Sequence, residues 1–139
     1  MKALVIREPW IGLILEGHKT WEMRSRPTKI RGRIALAHQG TGLLVGTAEL
    51  VEVRAPLTIE GLMRTRHLHG IPLEQARAVA ADGWLVPWVL ADVRRFAQPA
   101  PYAHPRGAVT WVNVSDLGDL ADRAALSEST RKEGGLARA

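Results

Sequence analysis

The stretch Gly17-His18-Lys19-Thr20-Trp21-Glu22-Met23-Arg24-Ser25 constrains this chain most, because two periodicities meet in it. Upstream, Trp10, Ile11, Leu13, Ile14 and Leu15 recur at helical spacing, and Gly17 stands where a glycine most readily takes the left-handed conformation that closes a helix. Downstream, the side chains alternate with a period of two, so Trp21 and Met23 share one face of a strand while Thr20, Glu22 and Arg24 share the other. The apolar pair joins a core, which sets Glu22 and Arg24 side by side on the opposite face with Lys19 at its entrance. Charges alternating along an antiparallel strand are ordinarily its solvated face, and exposed ion pairs contribute roughly 0–1 kcal/mol. Taken alone, the stretch reads as surface.

Charge gives the stretch a second meaning. The formal charge of +5 is unevenly spread: from Arg7 to Arg33 seven Lys and Arg stand against three acids, whereas from Ser115 onward four stand against five. A positive field concentrated around the junction favours polyanions, and nucleic acid is the commonest of these in a cell. Ordinary solubility in an Arg-rich composition is the competing explanation. With no cysteine there is no disulfide framework, thiolate metal site or cysteine nucleophile. At 139 residues one domain with a core of moderate size is expected. The N-terminus meets Arg7, Glu8 and Pro9 too early for the apolar segment of a signal peptide, and no run approaches the ~20 apolar residues of a membrane span. The expectation is a soluble cytoplasmic protein without membrane contact.

Taken in order, Ala3 to Ile6 reads as a short buried strand, and Pro9 fixes the first turn of a helix that runs to Glu16. That helix is short enough to need docking on a sheet. Arg33 to His38 reads as a strand with both faces covered, joined through the Gly40-Thr41-Gly42 turn to a second strand over Leu43 to Val53, a hairpin. Gly40, Gly42 and Gly46 approximate a dinucleotide-binding fingerprint, but the last glycine is one residue late and no helix follows, so that reading is rejected. Thr58 to Ala81 holds two short helices with a basic loop between them. His67 and His69 in that loop have chelating spacing but no third ligand, so they are read as solvated and no metal is expected. Trp84 to Phe96 forms a strand with Trp88, Leu90 and Asp92 on one face. Pro99, Pro101 and Pro105 impose an irregular segment with Tyr102 and His104 exposed or lining a cleft. Ala108 to Val114 is the last strand. Of the five tryptophans, Trp10 and Trp84 are expected partly exposed, and Trp21, Trp88 and Trp111 internal.

These segments together resemble a known family. Ile6-Arg7-Glu8-Pro9-Trp10, then the Gly-x-Lys-x-x-Glu-x-Arg pattern of residues 17–24, then Arg31-Gly32-Arg33-Ile34-Ala35-Leu36-Ala37-His38, are similar to the signature of the ASCH domain, a branch of the PUA-like superfamily. The resemblance extends over residues 1–114 and leaves 115–139 as a C-terminal extension, a loose helix or frayed tail. It implies an α+β fold, a small PUA-like β-barrel with short flanking helices and a cleft beside the first helix. It also implies that the motif lysine, glutamate and arginine gather in that cleft, which maps onto Lys19, Glu22 and Arg24.

Two functions from different classes follow. The first is a module that binds RNA or a modified nucleoside, its contacts made by Arg7, Pro9, Trp10, Lys19, Glu22, Arg24, Ser25 and Arg33, with no cofactor. The second is a small hydrolase, a nucleoside amidohydrolase or ribonuclease, in which Lys19 and Glu22 are catalytic. Members that resemble amidohydrolases of N4-acetylcytidine place a threonine nucleophile three residues after the motif lysine, where this chain has Glu22. Glutamate is a general base rather than an alkoxide.

Overall fold

The computed structural model describes residues 1–114; the C-terminal extension expected over 115–139 lies outside the described residues. Six strands and a few short helices follow one another: β1 Lys2–Ile6, α1 Trp10–Leu15, β2 Trp21–Arg24, β3 Gly32–His38, β4 Leu43–Val53, α2 Ile59–Arg64, α3 Arg66–His69, a 3-10 turn Leu73–Gln75, α4 Ala76–Ala81, β5 Val86–Pro101 and β6 Trp111–Asn113. The strands form one mixed sheet in the order β2-β5-β4-β3-β1-β6, with β1 and β3 parallel and every other neighbour antiparallel.

The sheet curls strongly. Trp88 of β5 and Trp111 of β6 have β4, β3 and β1 between them in strand order, yet their rings stack with centroids 5.7 Å apart and planes within 14°. Likewise Arg24 of β2 reaches across to β1, its Nη2 donating to the Val5 carbonyl at 2.9 Å. The result is a half-barrel whose two ends are bridged by side chains, β5 to β6 through the tryptophan stack and β2 to β1 through Arg24. Among the described residues no ladder pairs them, so the closed barrel implied by the resemblance is not made by strand pairing.

The core explains why β1 and β3 carry apolar residues at almost every position. Leu4, Ile6, Ile34 and Leu36 point into the hollow of the curl, where they meet Ile11 and Ile14 of α1, Leu50 and Trp88. Ala3, Val5, Ala35 and Ala37 point outward beneath Leu44, Phe96, Ala100 and Val112. Both faces are therefore covered, as small residues between larger ones suggested. A third cluster packs Trp21 and Met23 of β2 against Leu62, Ile71 and Ala76 of the helical segment.

Three expectations need correction. The segment expected as a solvated basic loop between two helices is α3, closed by Gly70 in the left-handed conformation (φ 74°), and His69 is buried beneath it. The strand expected to stop before the prolines continues through Pro99 and Pro101. It can do so because β2 pairs only with Val86–Val89, which leaves one side of β5 without a strand further on, where a missing N–H loses no ladder bond. Asp92 does not share a face with Trp88 and Leu90: its backbone adopts φ 47°, the β4–β5 register shifts around it, and its side chain turns to solvent. The turn glycines Gly40 and Gly42 have positive φ, while Gly46 lies inside β4.

Gly46 shows how tightly β4 and β5 are pressed together. A Cβ built there would sit 2.6 Å from the Arg94 carbonyl oxygen and 3.2 Å from the Leu15 side chain, and the first of these is backbone that cannot step aside. Gly46→Ala should lower unfolding free energy by about 1–3 kcal/mol through overpacking, read by urea denaturation. Unchanged stability would show that the two strands are less closely apposed.

Candidate functional site

The end of α1 aims Lys19 inward. Glu16 caps the helix, Gly17 takes φ 84°, and the amides of His18 and Lys19 both donate to the Leu13 carbonyl at 2.9 and 3.2 Å. Thr20 then locks the entry to β2: its N–H donates to Leu68 and its carbonyl accepts from Leu90. With the backbone held on both sides, the Lys19 side chain runs into the protein and is only 1 % exposed.

Its ammonium has three partners. Nζ donates to the His69 carbonyl at 2.7 Å, lies 3.5 Å from Glu22 Oε1, and sits 5.1 Å from the centroid of the Trp10 ring. Glu22, 5 % exposed, is held from its other side by Arg24, whose Nε and Nη2 donate to Oε2 at 3.2 and 2.8 Å. The Arg24 guanidinium also lies 5.6 Å from the centroid of Trp88. The carboxylate is thus clamped between two cations on the inner side of the curl. The face assigned to solvent by alternation alone is an interior face.

His69 supports this arrangement from beneath. Its Nδ1 accepts the Ile71 N–H at 2.9 Å, so Nε2 carries the proton and donates to the Leu62 carbonyl at 2.6 Å. Desolvation holds its pKa below the ordinary histidine value, and the nearby Lys19 charge acts in the same direction. With both ring nitrogens engaged and His67 on the surface, the pair does not chelate. Sequence reasoning missed His69 because nothing near it in the chain marks a basic segment as buried.

An open cleft of about 410 Å³ adjoins the cluster. Arg7, Trp10, Lys19, Glu22 and Arg24 all line it, joined by Val5, Met23, Gln39, Ile71, Val79, Asp82, Trp84 and Val109. Trp84, expected to be partly exposed, is 41 % so, and it stands on the cleft wall. Three of the expected contact residues are elsewhere. Pro9 is an exposed residue at the start of α1, and Ser25 lies in the exposed bend after β2. Arg33 is on the sheet, where it bonds the Asp92 carboxylate, the Asp92 carbonyl at 2.8 Å and Glu49 at 3.3 Å. The guanidinium of Arg7, by contrast, is exposed on the cleft and has no hydrogen bond or ion pair among the described residues.

A curled mixed sheet with short helices, carrying the buried Lys19–Glu22–Arg24 cluster on its inner side, is a small α+β domain of the PUA-like kind. The chain belongs to the ASCH domain family, whose model matches residues 4–100. Among solved structures, ASCH from Zymomonas mobilis superposes with a TM-score of 0.63 at 16 % identity, covering 89 % of this chain and 92 % of that one. A serine-to-alanine mutant of the same protein gives 0.62 at 18 % identity, with 97 % and 94 % covered. A tyrosine-to-phenylalanine mutant gives 0.57 at 20 %, with 72 % and 74 % covered. At these identities the likeness is one of fold. No curated protein matches the chain. Among the described residues, no helix is long and apolar enough to cross a membrane.

Burial pushes the Lys19 ammonium below its usual pKa; Glu22 opposes this, while Arg24 adds to it. The unfolded chain keeps that proton up to about 10.5 while the folded chain releases it earlier, so the unfolded state binds more protons in between. Stability contributed by this group therefore rises with pH as 10.5 is approached from below. Relative to Lys19→Met, wild-type unfolding free energy should climb across that window, measured by urea denaturation at stepped alkaline pH. A difference that does not change with pH would contradict the desolvated ammonium.

Proposed function

We propose that this chain is a binding module for RNA or a modified nucleoside, and that its cleft receives one unpaired base. The observation that carries the reading is the convergence of Lys19, Glu22 and Arg24 on a single open hollow of about 410 Å³. A carboxylate has about four lone-pair sites. Arg24 takes Oε2 and Lys19 approaches Oε1, which leaves acceptor capacity at Oε1 for an exocyclic amino group of a base. Because Glu22 is already fixed, it needs no reorganisation to accept that bond. Trp10 and Trp84 supply aromatic surface in the same cleft, suited to stacking on an unpaired base. The exposed Arg7 side chain lining the same cleft suits a phosphate.

Binding is favoured over the hydrolase reading by what lines the cleft. Among the described residues, no serine, threonine or tyrosine side chain lines the cleft. An acyl-transfer nucleophile of the threonine kind has no counterpart among the described residues that line the cleft.

Affinity for single-stranded RNA should fall linearly in log–log form with salt. Glu22→Gln should weaken binding about tenfold, the order expected for one hydrogen bond to a charged group, without changing the salt slope. Arg7→Ala, at an exposed position that leaves folding intact, should reduce the slope by about one phosphate contact. Fluorescence anisotropy over a salt series reads all three. Binding that is absent at low salt, or insensitive to salt and to both substitutions, would overturn the proposal.

A further inference from the structure

A second hollow, of about 430 Å³, lies beside the first and shares three wall residues with it: Val5, Gln39 and Val109. Its distinctive feature is an aromatic pair, Tyr102 and His104, with ring centroids 5.7 Å apart at 66°. The His104 ring is anchored at both edges. Nε2 pairs with the Ala108 carbonyl at 2.7 Å, an atom that only accepts, so Nε2 is the protonated nitrogen. In the neutral ring Nδ1 then accepts from the Tyr102 hydroxyl at 2.8 Å. Tyr102 is itself packed against the outer core cluster, beneath which it is half-buried.

This geometry limits what His104 can do. Both nitrogens are already committed in the plane of the ring, so metal ligation or proton abstraction from a ligand would require breaking one of these bonds. What remains available is the ring face, on an exposed residue whose orientation is fixed without any ligand. A pre-oriented aromatic face loses little side-chain entropy on stacking, which is the requirement for a sequence-tolerant base platform. Gln39 and the exposed Val109 separate this platform from the Lys19–Glu22–Arg24 cleft, and Arg7 follows directly on the β1 residue whose carbonyl binds the Gln39 amide.

Resting on the base-binding reading above, we propose that the two hollows are adjoining subsites of one groove for single-stranded RNA. One base enters the cleft over Glu22, its neighbour stacks on His104, and the linking phosphate passes near Arg7. The preferred ligand is then a strand of two or more nucleotides rather than a free nucleoside.

The test compares ribonucleoside monophosphates with randomised ribotetranucleotides in equilibrium binding to wild-type protein, Glu22→Gln, His104→Ala and His104→Phe. Wild-type protein should bind the tetranucleotides at least tenfold more tightly than the monophosphates. His104→Ala should lose roughly tenfold for the tetranucleotides, within the range for one base stacked on an aromatic ring, and leave the monophosphates unchanged. His104→Phe should restore part of the loss, since it returns an aromatic face without the two hydrogen bonds that fix its orientation. If His104→Ala binds tetranucleotides as wild type does while Glu22→Gln still weakens both probes, the second subsite is wrong and the base cleft stands. If neither probe responds to Glu22→Gln, the base cleft itself fails and the groove with it.

Discussion

The Glu22 carboxylate, held between Lys19 and Arg24 on the inner side of a curled sheet, is the interaction on which the rest of the structure depends. Burying three charged groups is costly, and the arrangement persists because each has partners. Lys19 donates to the His69 carbonyl as well as facing Glu22, and Arg24 donates to Val5 as well as to Glu22. Breaking such a cluster by removing one member costs about 3–5 kcal/mol, because the others are left buried and uncompensated. The Arg24–Val5 bond does more than satisfy a guanidinium. It ties β2, one end of the sheet, to β1 near the other end, where strand pairing does not reach. The same residues therefore hold the half-barrel in its curl and furnish the floor of the cleft.

Much of this was legible along the chain. Alternation separated Trp21 and Met23 from Glu22 and Arg24, Gly17 marked the helix end, and the small residues of β3 announced a strand covered on both sides. What alternation cannot tell is which face of a strand becomes the inside, because that depends on a curl set by pairings between residues far apart, such as Trp88 with Trp111. The charged face therefore looked like surface. His69 was unreadable for a related reason: its burial follows from α3 packing beside β2, and its own neighbours, Arg66 and His67, are exposed and basic. Arg33 shows the opposite failure. Its place in a basic stretch suggested a ligand contact, but the left-handed backbone at Asp92 turns a carboxylate toward it and absorbs its charge on the sheet.

The functional reading joins local and global features. Lys19, Glu22 and Arg24 lie within six residues of one another, yet the hollow also needs Arg7 and Gln39, each just past the end of β1 and β3, and Trp84 from the segment before β5, to complete its walls. His104, the proposed second subsite, belongs to the proline-rich stretch after β5, which looks irregular in sequence but is pinned by Tyr102 to the outer core. Membership of the ASCH family and the fold shared with the Zymomonas mobilis protein set the frame, and the unpaired base is the guest proposed for its cleft.

The most direct test is a crystal structure of the protein soaked with a short single-stranded RNA. A base should be found in the cleft with an exocyclic amino group within hydrogen-bonding distance of the Glu22 carboxylate, and with Lys19 and Arg24 still flanking it. RNA bound on another face, with that cleft empty, would contradict the account.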